Sequence, residues 1–431
     1  MTSGSPLRLI LVFMIPLLLG NLFQQFYNIV DAMIVGRLLG ADALAAVGSS
    51  SSVQFLVLGF CMGSCAGFGI PVSQRFGAED MQGLRRYVYH SLVVTVIIAA
   101  VLTTLTALLC PLIMHIMQTP EDIYQDAYRY LLIIFLGIPF TLLYNLLSSL
   151  LRAVGNSKAP FIFLAISTFL NVFLDLFCIA VLHLGCAGVA LATITAQALS
   201  GIACLVYIIR VMPVLHPTRE DCHWNSTVAR NLVVMGLPMG LQYSVTAIGS
   251  MVMQSANNGL GSIYVSGFTA GTKVKQLMLC PFDAVATAMA TFVGQNMGAH
   301  KMDRVKQGIR VTLALAVGYG IVAGVIMNFG GHFLGSLFVD AANVSVIDAA
   351  ARYMGALGLL YWLLAILDVT RYAIQSLGFS ALSVISVPSR WSPVSSSPRS
   401  ASRSSATAPS AGPTRPPGSP PAPTSSRCSC I

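Results

Sequence analysis

The chain has 431 residues, of which 55% are hydrophobic and only 9% charged, and its mean hydropathy is +0.77. Soluble domains carry about 25% charged residues, so the composition excludes a water-soluble globule and predicts an all-α polytopic membrane protein. The net charge of +9 does not call for nucleic acid: Arg390, Arg399, Arg403, Arg415 and Arg427 lie in an acid-free terminal stretch, and the other basic residues fall between apolar runs, where they report topology.

In chain order, ten apolar runs predict ten spans, at about residues 9–36, 44–73, 89–117, 128–151, 159–183, 187–209, 232–258, 264–294, 309–329 and 352–379. The first run is too long for a cleavable leader. It also carries polar groups: Gln24, Tyr27, Asn28 and Asp31 recur at helical spacing on one face, and Pro16 predicts a bend below them. An acid at mid-membrane costs roughly 2.5 kcal/mol or more, so Asp31 is expected to face a cavity and hold a proton or a cation; the competing reading is a solvated rim residue before Arg37. The fifth run adds Asn171 and Asp175, one turn apart, and the sixth adds Thr193. Carboxylates, amides and hydroxyls in one lobe suit a proton or a hard cation. Lys273, Lys275 and Asp283 lie on the eighth run, and on the tenth Asp368 and Arg371 are spaced as a local ion pair. The ten cysteines and scattered histidines show no metal spacing, and His90, His216 and His223 are expected to be interfacial. No nucleotide loop or nucleophile elbow is present, so no metal, no cofactor and no enzyme chemistry are expected.

With the N-terminus cytoplasmic, thirteen basic residues fall in inner segments against three outside (Arg37, Arg129, Arg352). An internal repeat reinforces the layout. Ile15-Pro16-Leu17 recurs as Leu237-Pro238-Met239, Arg75-Phe-Gly77-Ala78 as Asn296-Met-Gly298-Ala299, Arg129-Tyr130 as Arg352-Tyr353, and Gly155-Asn-Ser157 as Gly378-Phe-Ser380, all at offsets of 221 to 223. Two parallel halves follow, related by an axis along the membrane normal. At the same offset Asp31 corresponds to Met253, so the repeated scaffold stands without the acid. The expected division is a six-helix lobe over 1–210, a cytoplasmic linker over 211–231, a second lobe of about four helices over 232–380, and a disordered Ser/Pro/Arg-rich tail over 381–431. Ser157 is followed by 53 residues holding two apolar runs, whereas the 51 residues after Ser380 hold none. Near-equal length with the wrong composition suggests a reading-frame shift, against the alternative of a genuine disordered tail.

Ile15-Pro16, Tyr27-Asn28-Ile-Val-Asp31, Leu150-Leu-Arg-Ala-Val-Gly155-Asn and Thr291-Phe-Val-Gly-Gln295-Asn296-Met-Gly298-Ala299 resemble the multidrug and toxic compound extrusion (MATE) transporters, in the bacterial branch related to the DNA-damage-inducible members. The resemblance implies two six-helix lobes around a central cavity in the bacterial inner membrane. It implies proton coupling, or less favourably sodium coupling, through Asp31, Asn171, Asp175 and Thr193, with Gln24, Tyr27, Asn28 and Asn145 lining the substrate cavity and Pro16 bending the first helix. The sodium-coupled branch is expected to use an acid on the seventh helix, where this chain has Gln242 and no carboxylate. The expected function is a cation-coupled antiporter exporting cationic amphiphiles by alternating access, acting as a monomer among membrane lipids and without nucleic acid. The rivals are a non-transporting membrane remnant and a flippase for lipid-linked substrates.

Overall fold

The computed structural model describes residues 1–259, 261–339 and 343–382, except for the side chains of Ala41 and Asn258. The described residues are nearly all helical. The first half comprises α1 (Pro6–Leu38), α2 (Ala41–Gly77), α3 (Met81–Ile116), α4 (Glu121–Leu136), α5 (Ile138–Ala153), α6 (Lys158–Ala180) and α7 (Gly185–Val211). The second comprises α8 (Ser226–Asn258), α9 (Ser262–Gly298), α10 (Met302–Phe329), the short α11 (Gly331–Ser336) and α12 (Val344–Ser376). Nine of these helices are long and apolar enough to cross a membrane. Residues 383–431, with almost all of the expected disordered tail, and Asp340 lie outside the described residues.

The fourth predicted span is the one that departs from a single helix. It begins earlier than expected and is broken into α4 and α5, bent by 45°. Pro139 has no N–H to continue the helical ladder, and a side chain on Gly137 would collide with Ile194 of α7, so the chain turns where it can pack closest. Elsewhere the helix ends follow local chemistry. Pro6 opens α1, where a missing donor costs nothing. The Asp80 carboxylate accepts from the Gly83 N–H at 2.8 Å to start α3, and the Asn225 amide oxygen caps α8 through Thr227 and Val228.

Leu108, Phe169 and Phe329 are 73%, 67% and 86% exposed, and many aliphatic side chains of α3, α6 and α10 are similarly bare. Such surfaces belong in lipid, where apolar exposure carries no penalty. The interior is divided between a large cluster on α2, α3, α4 and α5 (Phe68, Leu131, Phe135, Leu146) and another on α9, α10 and α12 (Phe282, Met289, Tyr361). The halves meet where α2 runs against α8 and α1 against α9. Along α2 and α8 glycines bring the two backbones close together, with Phe68 and Tyr243 packed into the notches. A Cβ on Gly67 would sit 2.6 Å from Gly236 Cα, and one on Gly63 would sit 2.5 Å from the Met239 carbonyl. Small residues permit this approach, as they do between membrane helices generally. The close contacts run from mid-bundle to the end carrying Arg75, Arg85, Arg152 and Arg304, whereas a Cβ on Gly40, Gly48 or Gly261 near the other end would meet nothing within 4 Å.

The segment joining the halves is docked. Asp221 Oδ2 accepts from the Thr218 hydroxyl at 2.6 Å and its backbone N–H at 3.0 Å, and lies 3.5 Å from Arg85. These hydrogen bonds, led by the Thr218 hydroxyl and aided by Arg85 and Arg86, hold the Asp221 carboxyl below its ordinary range. His90, expected at an interface, is fully buried. Its Nδ1 meets the Arg86 carbonyl at 2.7 Å, its Nε2 accepts the Asn225 N–H at 2.8 Å, and Trp224 covers the ring. It is a satisfied core histidine that anchors the linker to α3.

Candidate functional site

The polar face of α1 is pressed against α6. Phe23 packs on Phe161 and Phe169, with ring centroids 6.0 and 6.1 Å away, and Gly20 lets α6 approach through Leu164. α6 is in turn stitched to α7 by the Ser167 hydroxyl, which donates to the Ala196 carbonyl at 2.9 Å. Three helices therefore converge on one polar focus inside an apolar lobe. Asp175 is fully buried and Asn171, one turn before it, is 3% exposed. Asp31 is half-buried and its carboxyl lies beside that of Asp175. Tyr27 Oη and Thr193 Oγ1 share a hydrogen bond of 3.2 Å, closing α1 onto α7.

Of the residues singled out in sequence, Asp31, Asp175, Tyr27 and Thr193 are thus brought together, and Asn171 stands on the same stretch of α6. Asp31 is only half-buried, and beside it stands the fully buried Asp175 of α6. Gln24 is half-buried on the same face of α1, and Asn28 is exposed. Asn145 turns its amide back onto its own helix, donating to the Thr141 carbonyl at 2.8 Å. Pro16 is buried inside α1, two turns below Gln24.

Two residues escaped the sequence reading. Tyr130 of α4 is buried beside both carboxyls and next to Gln54 of α2. In sequence Tyr130 marks only the repeat, and Gln54 follows the serines Ser49 to Ser52 within an apolar helix.

The second half has its own polar cluster, differently composed. Arg371 Nη2 lies 3.3 Å from Asp368 Oδ1, with both side chains almost fully buried, and the guanidinium sits 5.0 Å from the Tyr372 ring centroid. Tyr372 and Tyr243 hydroxyls are 3.3 Å apart, and Gln375 Nε2 donates to Gln242 Oε1 at 2.8 Å. Here the acid has a cation supplied by the chain, whereas in the first half two acids face each other. Among the described residues no three His, Cys, Asp or Glu side chains are placed to hold a metal ion.

Comparison with known proteins bears on this arrangement. The MatE family profile matches residues 16–177 and again 238–390, two segments that begin 222 residues apart. The chain belongs to the MatE family. The "Probable multidrug resistance protein YpnP" of Bacillus subtilis (strain 168) is 33% identical over 304 residues, covering 70% of this chain and 68% of that protein. The "DNA damage-inducible protein F" of Escherichia coli (strain K12) is 29% identical over 188 residues, 42% of this chain and 40% of that one. Among solved structures, an outward-facing MATE family multidrug resistance transporter of the MOP superfamily superposes with a TM-score of 0.83 at 21% identity, covering 89% of this chain and 85% of the other. This MATE protein is therefore a multi-span membrane protein of a multidrug efflux family, and its relatives are membrane transporters, not enzymes.

Proposed function

We propose that this MATE chain is a proton-coupled antiporter that exports cationic amphiphilic compounds by alternating access. The observation that carries the reading is the meeting of Asp31 and Asp175 from different helices inside an apolar lobe whose repeat has no counterpart to the first acid. An ionised carboxylate has no donor, so two carboxyls can bond each other only when one carries a proton. The pair is therefore a place where a proton is held and exchanged for another positive charge. Tyr27, Thr193 and Asn171 supply neutral donors and acceptors that keep the pair oriented, with Tyr130 and Gln54 behind it. Gln24 and Asn28 lie toward the substrate path.

The excess of Lys and Arg at one end makes that end cytoplasmic. The halves are in contact there, so the acids are approached from the opposite, external side, where an antiporter takes up its proton. Neutralising the pair weakens its hold on a cation, and the empty, protonated lobe resets to the cytoplasmic side. Pro16, which removes a donor within α1, is the point at which that helix can flex as the pair changes charge.

The test is efflux of a fluorescent cation from inverted or reconstituted vesicles under an imposed pH gradient, and separately under a sodium gradient. Asp31→Asn and Asp175→Asn each keep the shape and lose the exchangeable charge, and each is expected to abolish gradient-driven efflux. Unchanged efflux in either variant removes that acid from the coupling step; efflux driven by sodium alone replaces the proton. Absence of efflux in the unmodified protein favours the remnant, a reading supported by the lack of apolar runs after Ser380.

A further inference from the structure

The repeat supplies a second result at the end of the bundle away from the acids. α5 and α12 occupy equivalent places in the two halves, and each ends at a glycine with positive φ, Gly155 at 93° and Gly378 at 102°. The hydrogen bonds beyond each end match. Asn156 N–H bonds the Leu151 carbonyl and Gly155 N–H the Arg152 carbonyl; Phe379 N–H bonds the Ile374 carbonyl and Gly378 N–H the Gln375 carbonyl. This is the Schellman pattern, and it serves two of the orphan carbonyls at a helix end. It leaves the next one over, that of Ala153 in α5 and of Ser376 in α12, to find a donor elsewhere.

Each finds it in the other half. Gln295 Nε2, on α9, donates to the Ala153 carbonyl at 2.8 Å, and Gln74 Nε2, on α2, donates to the Ser376 carbonyl at 3.0 Å. Gln74 and Gln295 are themselves repeat equivalents, 221 residues apart, just as Ala153 and Ser376 are 223 apart. The glycines three residues further on complete the exchange: a Cβ on Gly77 would strike the Gln295 carbonyl, and one on Gly298 would strike the Gln74 carbonyl. Gln295, Ser376 and Ala153 are almost fully buried. The contact is thus reciprocal, each half reaching across with one amide to the negative end of a helix in the other.

We propose that Gln74 and Gln295 are the gate residues of this transporter, a pair of latches that hold its cytoplasmic end shut and must release together when the halves rock apart. The inference rests on the alternating-access reading above, but it is tested without substrate or coupling ion. Because one motion breaks both bonds, their effects on the closed-to-open ratio multiply. Removing a neutral hydrogen bond shifts such a ratio by about five-fold, and removing both by about 25-fold. A glutamate has the shape of glutamine but only acceptors, so it sets lone pairs against the carbonyl and is expected to shift the ratio further than alanine does. A lysine at the half-buried position 74 keeps a donor.

The experiment is a spin-label distance measurement in lipid nanodiscs, with cysteines replacing the exposed Gln82 and Met302 on either side of the latch and Cys222, Cys428 and Cys430 changed to serine. The parent is expected to show one short distance. Gln74→Glu and Gln295→Ala are each expected to add a longer population, the double alanine variant more than either single alanine one, and Gln74→Lys to keep the parent distribution. Amide exchange separates a gate from local support: Gln74→Glu is expected to speed exchange at Gly155–Ser157, beside the opposite latch. A parent-like distance distribution in both Gln74→Glu and Gln74→Ala, or faster exchange confined to the mutated latch, overturns the proposal. Loss of efflux with normal gating instead overturns the coupling assignment alone.

Discussion

The buried pair Asp368–Arg371 offers a quantitative test of how the second half is held together. Both side chains are at least nine-tenths buried, 3.3 Å apart, and the guanidinium also lies over Tyr372. Deleting one partner leaves the other charge buried without its ion pair, which costs about 3–5 kcal/mol, whereas replacing both by apolar groups of similar volume is often neutral or stabilising. Arg371→Met carries a further loss of about 0.5–2 kcal/mol from the cation–π contact. Asp368→Asn and Arg371→Met are therefore each expected to destabilise by about 3 kcal/mol or more, and Asp368→Leu with Arg371→Met by much less than the sum. The assay is reversible unfolding of the purified protein in mixed micelles, analysed as a double-mutant cycle. A coupling energy of at least about 2 kcal/mol is expected for a desolvated pair. A coupling below about 0.5 kcal/mol would mean that water or other groups already compensate each charge, and the argument would fail.

Tyr27→Phe removes the hydroxyl that ties α1 to Thr193 and is expected to slow gradient-driven efflux several-fold while leaving the fold intact, as read by transport rate against melting temperature. Asp221→Asn tests the docked linker. The folded carboxyl titrates below its unfolded value, so its contribution is complete above about pH 4 and is lost as pH falls through the folded pKa. The variant is expected to be less stable near pH 7, with the difference shrinking as pH falls below about 4 in thermal unfolding. Gly67→Val places side-chain carbons against the backbone of Gly236 and is expected to cost about 1–3 kcal/mol and to impair transport, measured by unfolding and by vesicle efflux.

The ten spans were legible because a helix facing lipid must be apolar along about 20 residues, and that pattern needs no tertiary context. The break at Gly137 was not: an isolated glycine before a proline in an apolar run is equally compatible with a kink or a continuous helix, and Ile194, whose position decides between them, is 57 residues away. At the candidate site Asp31 and Asp175 stood out because charge is costly in that setting, while Tyr130 did not, since a tyrosine in an apolar run is unremarkable until its neighbours are known. His90 was misjudged for a related reason. Its burial is made by Trp224 and Asn225 of a linker whose composition reads as loop. The repeat gave the register of the two halves but not the partners of Gln74 and Gln295, which exist only between halves.

The seam between α2 and α8 bears on how such a molecule moves. Where large side chains interdigitate, a helix can shift only by lifting each knob from one notch and seating it in the next, so motion comes in steps. Gly63 and Gly67 meet the Met239 and Gly236 main chain closely, with few side chains, such as Tyr243 and Phe68, seated in the seam, so the track has few teeth to disengage. Two bodies joined along such a track can tilt by degrees while staying in touch at the middle, so resistance to the swing falls on whatever fastens their ends.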